Sequence, residues 1–319
     1  MNTMKWLLRR EFWEHKGGFF WTPLVVGSII TIGTLVSAGA GLAFKSQHGM
    51  NINGQQVTNL SGVIKPEQHE QIINAVSQGY IAASAPLFMV MAFVIFFFCL
   101  GTLFDERKDR SVLFWKSLPV SDGETVLSKL AMALVAAPLI TLAFSIVTSF
   151  LVLLVAVASA AMTGLNLAGV FAQPATYLAP FKVAAVLPVY LVWALPTVGW
   201  LMMVSAWART KVFLWAVGVP VLTGVLLSWF NAMFDFNWDL EWFWKNIVAR
   251  GLLSVAPGSW FGFVDPPGGM HIENHSFDFS VLVVQSWKTL AYANAWIGAA
   301  LGAGMIYAAA RLRRWKDEG

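Results

Sequence analysis

Residues 105–129 read DERKDRSVLFWKSLPVSDGETVLSK, and this charge-dense segment lies between two apolar runs of membrane-spanning length. Residues 81–104 contain no Asp, Glu, Lys or Arg, and residues 130–181 contain none either. A charge at the centre of a bilayer-spanning helix costs roughly 2.5 to 3.5 kcal/mol on insertion scales. We therefore expect the segment to lie outside the hydrocarbon, in water or against a soluble partner.

The composition identifies the class of protein. Of the 319 residues, 57% are hydrophobic and only 12% are charged, which is too few charges to cover a soluble globule of this length. A helix needs about 20 apolar residues to cross a hydrocarbon core of roughly 30 Å. The sequence predicts an all-α integral membrane protein whose single membrane domain covers residues 1–319. Six stretches have the required length: about 21–44, 81–104, 130–158, 183–208, 212–234 and 289–310.

The connections between these predicted spans differ in character. Residues 45–80 and 235–288 are expected to be outer segments, the first with a helix over 66–79. Residues 159–182 are expected to form an apolar loop at the outer interface, because Pro174 and Pro180 interrupt a helical pattern there.

Lys and Arg set the expected orientation, because cytoplasmic loops carry an excess of both. With the N-terminus inside, the inner segments collect 15 of the 21 basic residues. We therefore predict a multi-pass protein of the bacterial cytoplasmic (inner) membrane with both termini in the cytoplasm. The net charge of +4 then reflects membrane topology, and no nucleic-acid partner is expected.

The N-terminal segment 3–16 is predicted to be an amphipathic helix at the inner membrane surface. Its aromatic residues would face lipid while its basic residues reach headgroups. The residues concerned are Trp6, Leu8, Phe12 and Trp13 for lipid, and Arg9, Arg10 and Lys16 for headgroups.

The charged segment itself has readable local structure. A helix is favoured from Asp105 to Lys116, in which Glu106 would pair with Arg110 four residues later. Pro119 would end it, and Ser121 with Glu124 has the spacing of a capping box that starts the next helix. An exposed apolar and cationic surface results, suited to docking into a groove on another protein. The alternative is a solvated basic loop resting on lipid headgroups.

Two strings in this segment carry a resemblance to a known family. Glu106-Arg107-Lys108-Asp109-Arg110-Ser111, followed by Phe114-Trp115-Lys116-Ser117-Leu118-Pro119-Val120-Ser121, resembles the first cytoplasmic loop of type-II ATP-binding-cassette (ABC) exporter permeases. The N-terminal helix, the six spans and the large segment before the last span are also similar, so the resemblance covers the whole chain.

The resemblance implies a function and a set of partners. The chain would be a non-catalytic permease subunit that binds no cofactor itself, while ATP and Mg²⁺ bind to a separate ATPase. Two ATPase subunits, a second copy of the permease and membrane lipids would be its partners. Their contact would be a cytoplasmic coupling helix on this loop. The implied ATPase-contacting residues are Glu106, Arg107, Arg110, Ser111, Phe114 and Trp115, with Arg9 and Glu11 on the N-terminal helix.

The absence of nucleotide-binding motifs agrees with this expectation. The sequence contains no G-x-x-x-x-G-K-[ST] and no Gly-Lys pair, so it has no P-loop to cradle phosphates. Two alternatives stay open: a membrane-embedded enzyme, which would need a nucleophile, metal set or acid pair near the membrane face, and an ATP-independent channel or scaffold protein.

Weaker patterns have simpler explanations. His271 and His275 are four residues apart, but the preceding Pro266-Pro267-Gly268-Gly269 favours a solvated loop over a metal site. The aromatic residues of 234–244 fit an interfacial belt better than a substrate site. Gly298 and Gly302 form G-x-x-x-G, which predicts close packing of the last span against a neighbouring helix.

The predicted topology is tested by single-cysteine labelling. We expect Gln55→Cys and Met270→Cys to react with a membrane-impermeant maleimide in intact cells, whereas Val120→Cys reacts only after permeabilisation. The parent chain, whose one cysteine is Cys99 within the second span, is the unlabelled control. Reaction of position 120 from outside would contradict the six-span orientation.

Overall fold

The computed structural model describes residues 3–52, 55–57, 64–109, 121–264 and 279–316. Within them, six helices are long and apolar enough to cross a membrane, which confirms an α-helical, multi-pass architecture: Gly17–Gln47, Pro66–Lys108, Asp122–Met162, Pro174–Trp207, Leu214–Phe234 and Ala293–Trp315.

The helices are numbered in chain order. The first half contains α1 (Thr3–Glu14), α2 (Thr22–His48), α3 (Pro66–Gly79), α4 (Ala85–Lys108), α5 (Asp122–Ala131) and α6 (Ala137–Met162). The second half contains α7 (Pro174–Trp207), α8 (Val219–Phe234), α9 (Leu240–Phe243), α10 (Arg250–Leu253), α11 (Trp260–Phe263), α12 (Phe279–Lys288) and α13 (Ala293–Lys316). A small antiparallel hairpin, β1 (Met50–Ile52) with β2 (Gln55–Val57), follows α2.

Short π-helical or 3-10 segments join several of these helices end to end. Gly17–Trp21 precedes α2, Tyr80–Ser84 joins α3 to α4, and Met132–Ala136 joins α5 to α6. As a result, the second and third spans extend well beyond their apolar cores. The predicted helix at 66–79 is confirmed as α3, and the capping box is confirmed at the start of α5.

Helix α7 lies at the centre of the main hydrophobic core. Its residues Trp193, Ala194, Val198, Leu201 and Met202 are completely inaccessible to solvent. It packs against α4 on one side and α13 on the other. Residues 189–206 of this helix are largely buried and contain no charged residue, as expected for a segment in the interior of a bundle.

The predicted loop at 159–182 is wrong in its second half, because α7 already begins at Pro174. A proline in the first turn of a helix removes no hydrogen bond. Pro180 lies farther inside and has no N–H to donate to the carbonyl of Thr176 four residues earlier. The hydroxyl of Tyr80 donates to that carbonyl instead, at 2.8 Å, so the helix continues through Pro180.

The segment after α8, predicted to be an outer region, folds back onto the core. Val255, Trp260, Phe263 and Val264 are buried in the same cluster as Trp193 of α7. The Trp193 and Phe263 rings stack with centroids 6.0 Å apart. The described part of this segment therefore belongs to the helical bundle and does not form a separate layer.

Close packing at the predicted G-x-x-x-G occurs within the chain. A Cβ atom added to Gly302 of α13 would lie 2.5 Å from the carbonyl carbon of Leu195, and one added to Gly199 would lie 2.4 Å from the carbonyl oxygen of Gly302. The backbones of α7 and α13 thus approach so closely that only glycine fits.

The close contact between α7 and α13 predicts that alanine substitution lowers stability at Gly302 but does not lower it at Gly304. Gly302→Ala should lower thermal stability in detergent, because overpacking of a tight contact costs typically about 1–3 kcal/mol. Gly304→Ala is the matched control, since nothing lies within 4 Å of its added Cβ. Alanine favours a helix interior over glycine by about 1 kcal/mol, so this control should be neutral or stabilising. Equal melting temperatures for the two variants would contradict the close approach.

Candidate functional site

The predicted contact residues fall into two groups. Glu106 and Arg107 lie in the last turn of α4, while Arg9 and Glu11 lie on α1. The other predicted contacts, Arg110, Ser111, Phe114 and Trp115, lie outside the described residues, as does most of the predicted coupling helix.

Glu106 is buried, with 7% of its surface exposed. One carboxylate oxygen accepts from Lys129 Nζ at 2.9 Å, and the other accepts from Arg313 Nη1 at 2.7 Å. Arg10 Nη2 lies 3.4 Å from the first oxygen. Glu106 therefore binds cations of α1, α5 and α13 at once, while its predicted local partner Arg110 lies outside the described residues.

Glu11 is completely inaccessible to solvent. Lys129 Nζ lies 3.1 Å and 3.0 Å from its two carboxylate oxygens, and Arg10 donates to it as well. Lys129 is itself only 1% exposed and so bridges the two glutamates. Glu11 and Glu106, both predicted as ATPase contacts, are buried by ion pairs within the chain, so neither side chain is presented on the surface of the described residues.

Arg313 completes the cluster. Its Nε donates to Asp122 Oδ1 at 3.1 Å while Nη1 binds Glu106. We call the six side chains the inner ion cluster. It contains three cations and three carboxylates: Arg10, Lys129 and Arg313 with Glu11, Glu106 and Asp122.

The balance of charge explains why these groups tolerate burial. Desolvation of an ion costs several kcal/mol, and only close pairing with further hydrogen bonds repays it. In the inner ion cluster each cation touches at least one carboxylate, and Lys129 and Glu106 each touch two or more opposite charges. The cluster ties four helices, α1, α4, α5 and α13, which are far apart in sequence.

Arg107 links α4 to the end of α7 by hydrogen bonds. Its Nη2 donates to the carbonyls of Ser205 and Ala208, at 2.5 and 3.0 Å. The Ser205 hydroxyl in turn accepts from the backbone N–H groups of Leu103 and Phe104. Arg107 therefore satisfies carbonyls left open where α7 ends, and its substitution would disturb the chain itself.

Arg9 differs from its neighbours, because its side chain is exposed. Of the two residues predicted on the N-terminal helix, only Arg9 remains available to a lipid headgroup or a partner.

One group of possible metal ligands lies beside the cluster. Donor atoms of Glu11, Glu14 and His15 are within 4.8 Å of one another. They fit a metal ion poorly, because Lys129 and Arg10 already neutralise the Glu11 carboxylate. His271 and His275 lie outside the described residues.

Sequence reasoning missed the roles of Arg10, Lys129, Arg313 and Asp122. Arg10 stands on the N-terminal helix and Lys129 and Arg313 stand near the ends of predicted spans, where basic residues have an ordinary explanation as flanking groups, while Asp122 is one of several charges in residues 105–129. The signal available was the burial expected for Lys129, since it directly precedes the longest uncharged run of the sequence, residues 130–181.

Comparison with known proteins gives no match: no family model, no curated protein and no solved structure is significantly similar to this chain.

The cluster predicts that neutralising Glu106 lowers stability far more than neutralising the adjacent Asp105. Glu106→Gln leaves Lys129 and Arg313 with an unbalanced buried charge, and breaking a buried pair in this way costs roughly 3–5 kcal/mol. We expect a clearly lower melting temperature in detergent and weaker retention of α1 after limited proteolysis. Asp105→Asn, at the exposed neighbouring position, is the matched control and should change little. Equal stability of both variants would mean that the cluster does not hold the helices together.

Proposed function

We propose that this chain is the permease subunit of an ABC exporter in the bacterial cytoplasmic membrane, driven by ATP hydrolysis on a separate subunit. The observation that carries the proposal is the position of the inner ion cluster. Glu106 and Asp122 belong to the helices on either side of residues 110–120, the loop whose sequence resembles the coupling segment of such permeases.

The cluster supports the proposal through mechanics. A displacement of residues 110–120 acts on the ends of α4 and α5, because the loop is joined covalently to both. Through Lys129 and Arg313 the same displacement acts on α1 and α13. Through Arg107 it acts on α7, the central helix. Packed helices joined by such ties move as units, which is what transmission from an external ATPase requires.

Because Glu11 and Glu106 are buried, fewer of the predicted residues are available to bind an ATPase. With Glu11 and Glu106 engaged inside the chain, contact with an ATPase falls to the loop residues Phe114 and Trp115, together with Arg110 and Ser111. Large aromatic side chains are frequent binding hot spots, so Phe114 and Trp115 are the strongest candidates. Arg9 is a further candidate because it is exposed.

The exposed apolar helices support assembly with a second copy. Helix α8 has almost none of its apolar window buried, and Leu222 and Trp229 are each 57% exposed. Helix α2 is similar, with Val36 63% exposed. Lipid would cover part of this surface. We propose that a second permease chain covers the rest, so that two copies enclose the path and each binds one ATPase.

The paired carboxylates argue against a membrane-embedded enzyme. A catalytic acid pair needs one carboxyl group free to take or give a proton. Within the described residues, the buried carboxylates Glu11 and Glu106 are both held by cations. An ATP-independent channel or scaffold protein remains the competing function, and it differs by having no associated ATP hydrolysis.

The proposal is tested by co-purification. Tagged chain, extracted from native membranes in mild detergent, should carry ATP hydrolysis and a second polypeptide that photolabels with 8-azido-ATP. The double substitution Phe114→Ala with Trp115→Ala should remove a hot spot worth roughly 2 kcal/mol or more, about thirtyfold in affinity, and so lose most of both.

Phe213→Ala with Trp215→Ala is the matched control, since it removes the same two side chains from exposed positions next to another predicted inner loop. It should retain the ATPase, and all variants should reach the membrane in equal amounts. If the wild-type chain carries no ATP hydrolysis, or if the Phe114 and Trp115 variant carries as much as the control, the exporter proposal fails.

A further inference from the structure

Arg250 is a buried cation without a carboxylate partner in the described part of the chain. It begins α10 and is 5% exposed. In the sequence it is the sole charged residue between Asn246 and Val264. None of the ion pairs among the described residues includes it. Burial lowers the pKa of its guanidinium.

The groups that touch Arg250 in the described part of the chain are all neutral. Nη1 donates to the side-chain oxygen of Asn294 and Nη2 donates to the Asn294 carbonyl, both at 2.5 Å. The guanidinium carbon lies 4.9 Å from the centroid of the Trp193 ring. Gly298 provides the space, because a Cβ there would lie 2.1 Å from Nη2. A guanidinium has five N–H donors, and these contacts use two of them. Nε has no hydrogen-bond partner among the described residues.

A cavity of about 980 Å³ adjoins this cation. It lies between α7, α8, α13 and the segment from Asp239 to Leu252. Most of its wall is apolar or aromatic, as the following residues illustrate: Pro196, Trp200, Pro220, Ile297, Leu301 and Met305. Ligand cavities of this size and character hold molecules that bury an apolar body and fix a few polar atoms.

The charges around the cavity are arranged unevenly. Asp239, Glu241 and Lys245 also line it, but Asp239 and Glu241 are exposed, and Asp239 accepts from the N–H of Trp242. Arg250 is the buried charge. Burial of an ion without a counter-charge is costly, and an anion in the cavity would supply the counter-charge that the described residues lack.

We infer that this cavity binds a single-chain amphiphile from the membrane, whose carboxylate or phosphate pairs with Arg250 while its acyl chain lies against α13 and α8. Shape and chemistry both favour such an occupant, because the walls suit a hydrocarbon chain and the unused guanidinium donors suit an oxyanion. The inference goes beyond the exporter proposal, since binding requires neither ATP nor a partner chain.

The test uses the purified full-length chain without any ATPase, so its outcome is independent of the exporter proposal. The probe is a palmitate analogue with a photoactivatable diazirine in the chain, and its methyl ester is the uncharged comparison. Cross-linked peptides are identified by mass spectrometry. We expect the acid to label the α13 peptide that contains Ile297 and Leu301, and the ester to label it about tenfold less at equal concentration.

Variants distinguish the contribution of the Arg250 charge to binding from that of the apolar cavity wall. Arg250→Gln should reduce labelling by the acid about tenfold and leave the ester unchanged, while Arg250→Lys should retain part of it. Lys288→Gln is the matched control, because it removes one exposed positive charge that does not line the cavity. Leu301→Trp, which narrows the apolar part, should reduce labelling by both probes.

Three results would overturn the inference. One is equal labelling of wild-type chain by acid and ester, which would leave only a lipid-exposed apolar surface and does not depend on the folding of any variant. Another is competition by inorganic phosphate as effective as that by unlabelled palmitate, which would indicate a free-anion site. The third is labelling that is equal in Arg250→Gln and Lys288→Gln.

Discussion

The pairing of Lys129 with Glu11 and Glu106 is the interaction on which the end of the bundle that carries α1 depends. Each of these groups would be costly to bury alone, and each is buried because the other two are present. Their pairing fixes where α1 lies, since Glu11 is on that helix, and it fixes the ends of α4 and α5. Arg313 adds the last span through Glu106 and Asp122. Hydrophobic burial alone could not specify this arrangement, because inside a membrane apolar surfaces are nearly interchangeable.

This constraint changes what the charged loop can do. Of the charges that flank it, Glu106, Arg107 and Asp122 make contacts within the chain, whereas Lys108 and Asp109 are exposed. A buried ion pair resists partial opening, because separating it exposes an unbalanced charge to a low-dielectric interior. Force applied at residues 110–120 would therefore reach α1, α13 and α7 before it broke these contacts.

The features predicted correctly from sequence depend on local pattern. Six spans follow from hydropathy, α3 and the capping box of α5 from residue spacing, and the close packing of the last span from Gly302. The failures share one cause, which is long-range contact. The partners of Glu106 lie up to 207 residues away, and the Thr176 carbonyl that Pro180 cannot pair accepts a hydrogen bond from distant Tyr80. No local pattern encodes either pairing. Because Lys129 stands beside a predicted span, the sequence indicates a residue that sets membrane orientation and not a buried partner.

Arg250 and the inner ion cluster show two outcomes of the same physics. In the cluster every buried cation meets a carboxylate of the chain, and these ion pairs join the helices. Among the described residues Arg250 meets only neutral groups, an amide, a carbonyl and an indole face, which orient the guanidinium without neutralising it. A chain that needed Arg250 only for packing would gain by replacing it with an apolar residue of similar size. An anion in the cavity would offset the desolvation cost of the Arg250 charge. The unpaired charge of Arg250 therefore indicates a ligand, whereas the charges of the inner ion cluster are already paired.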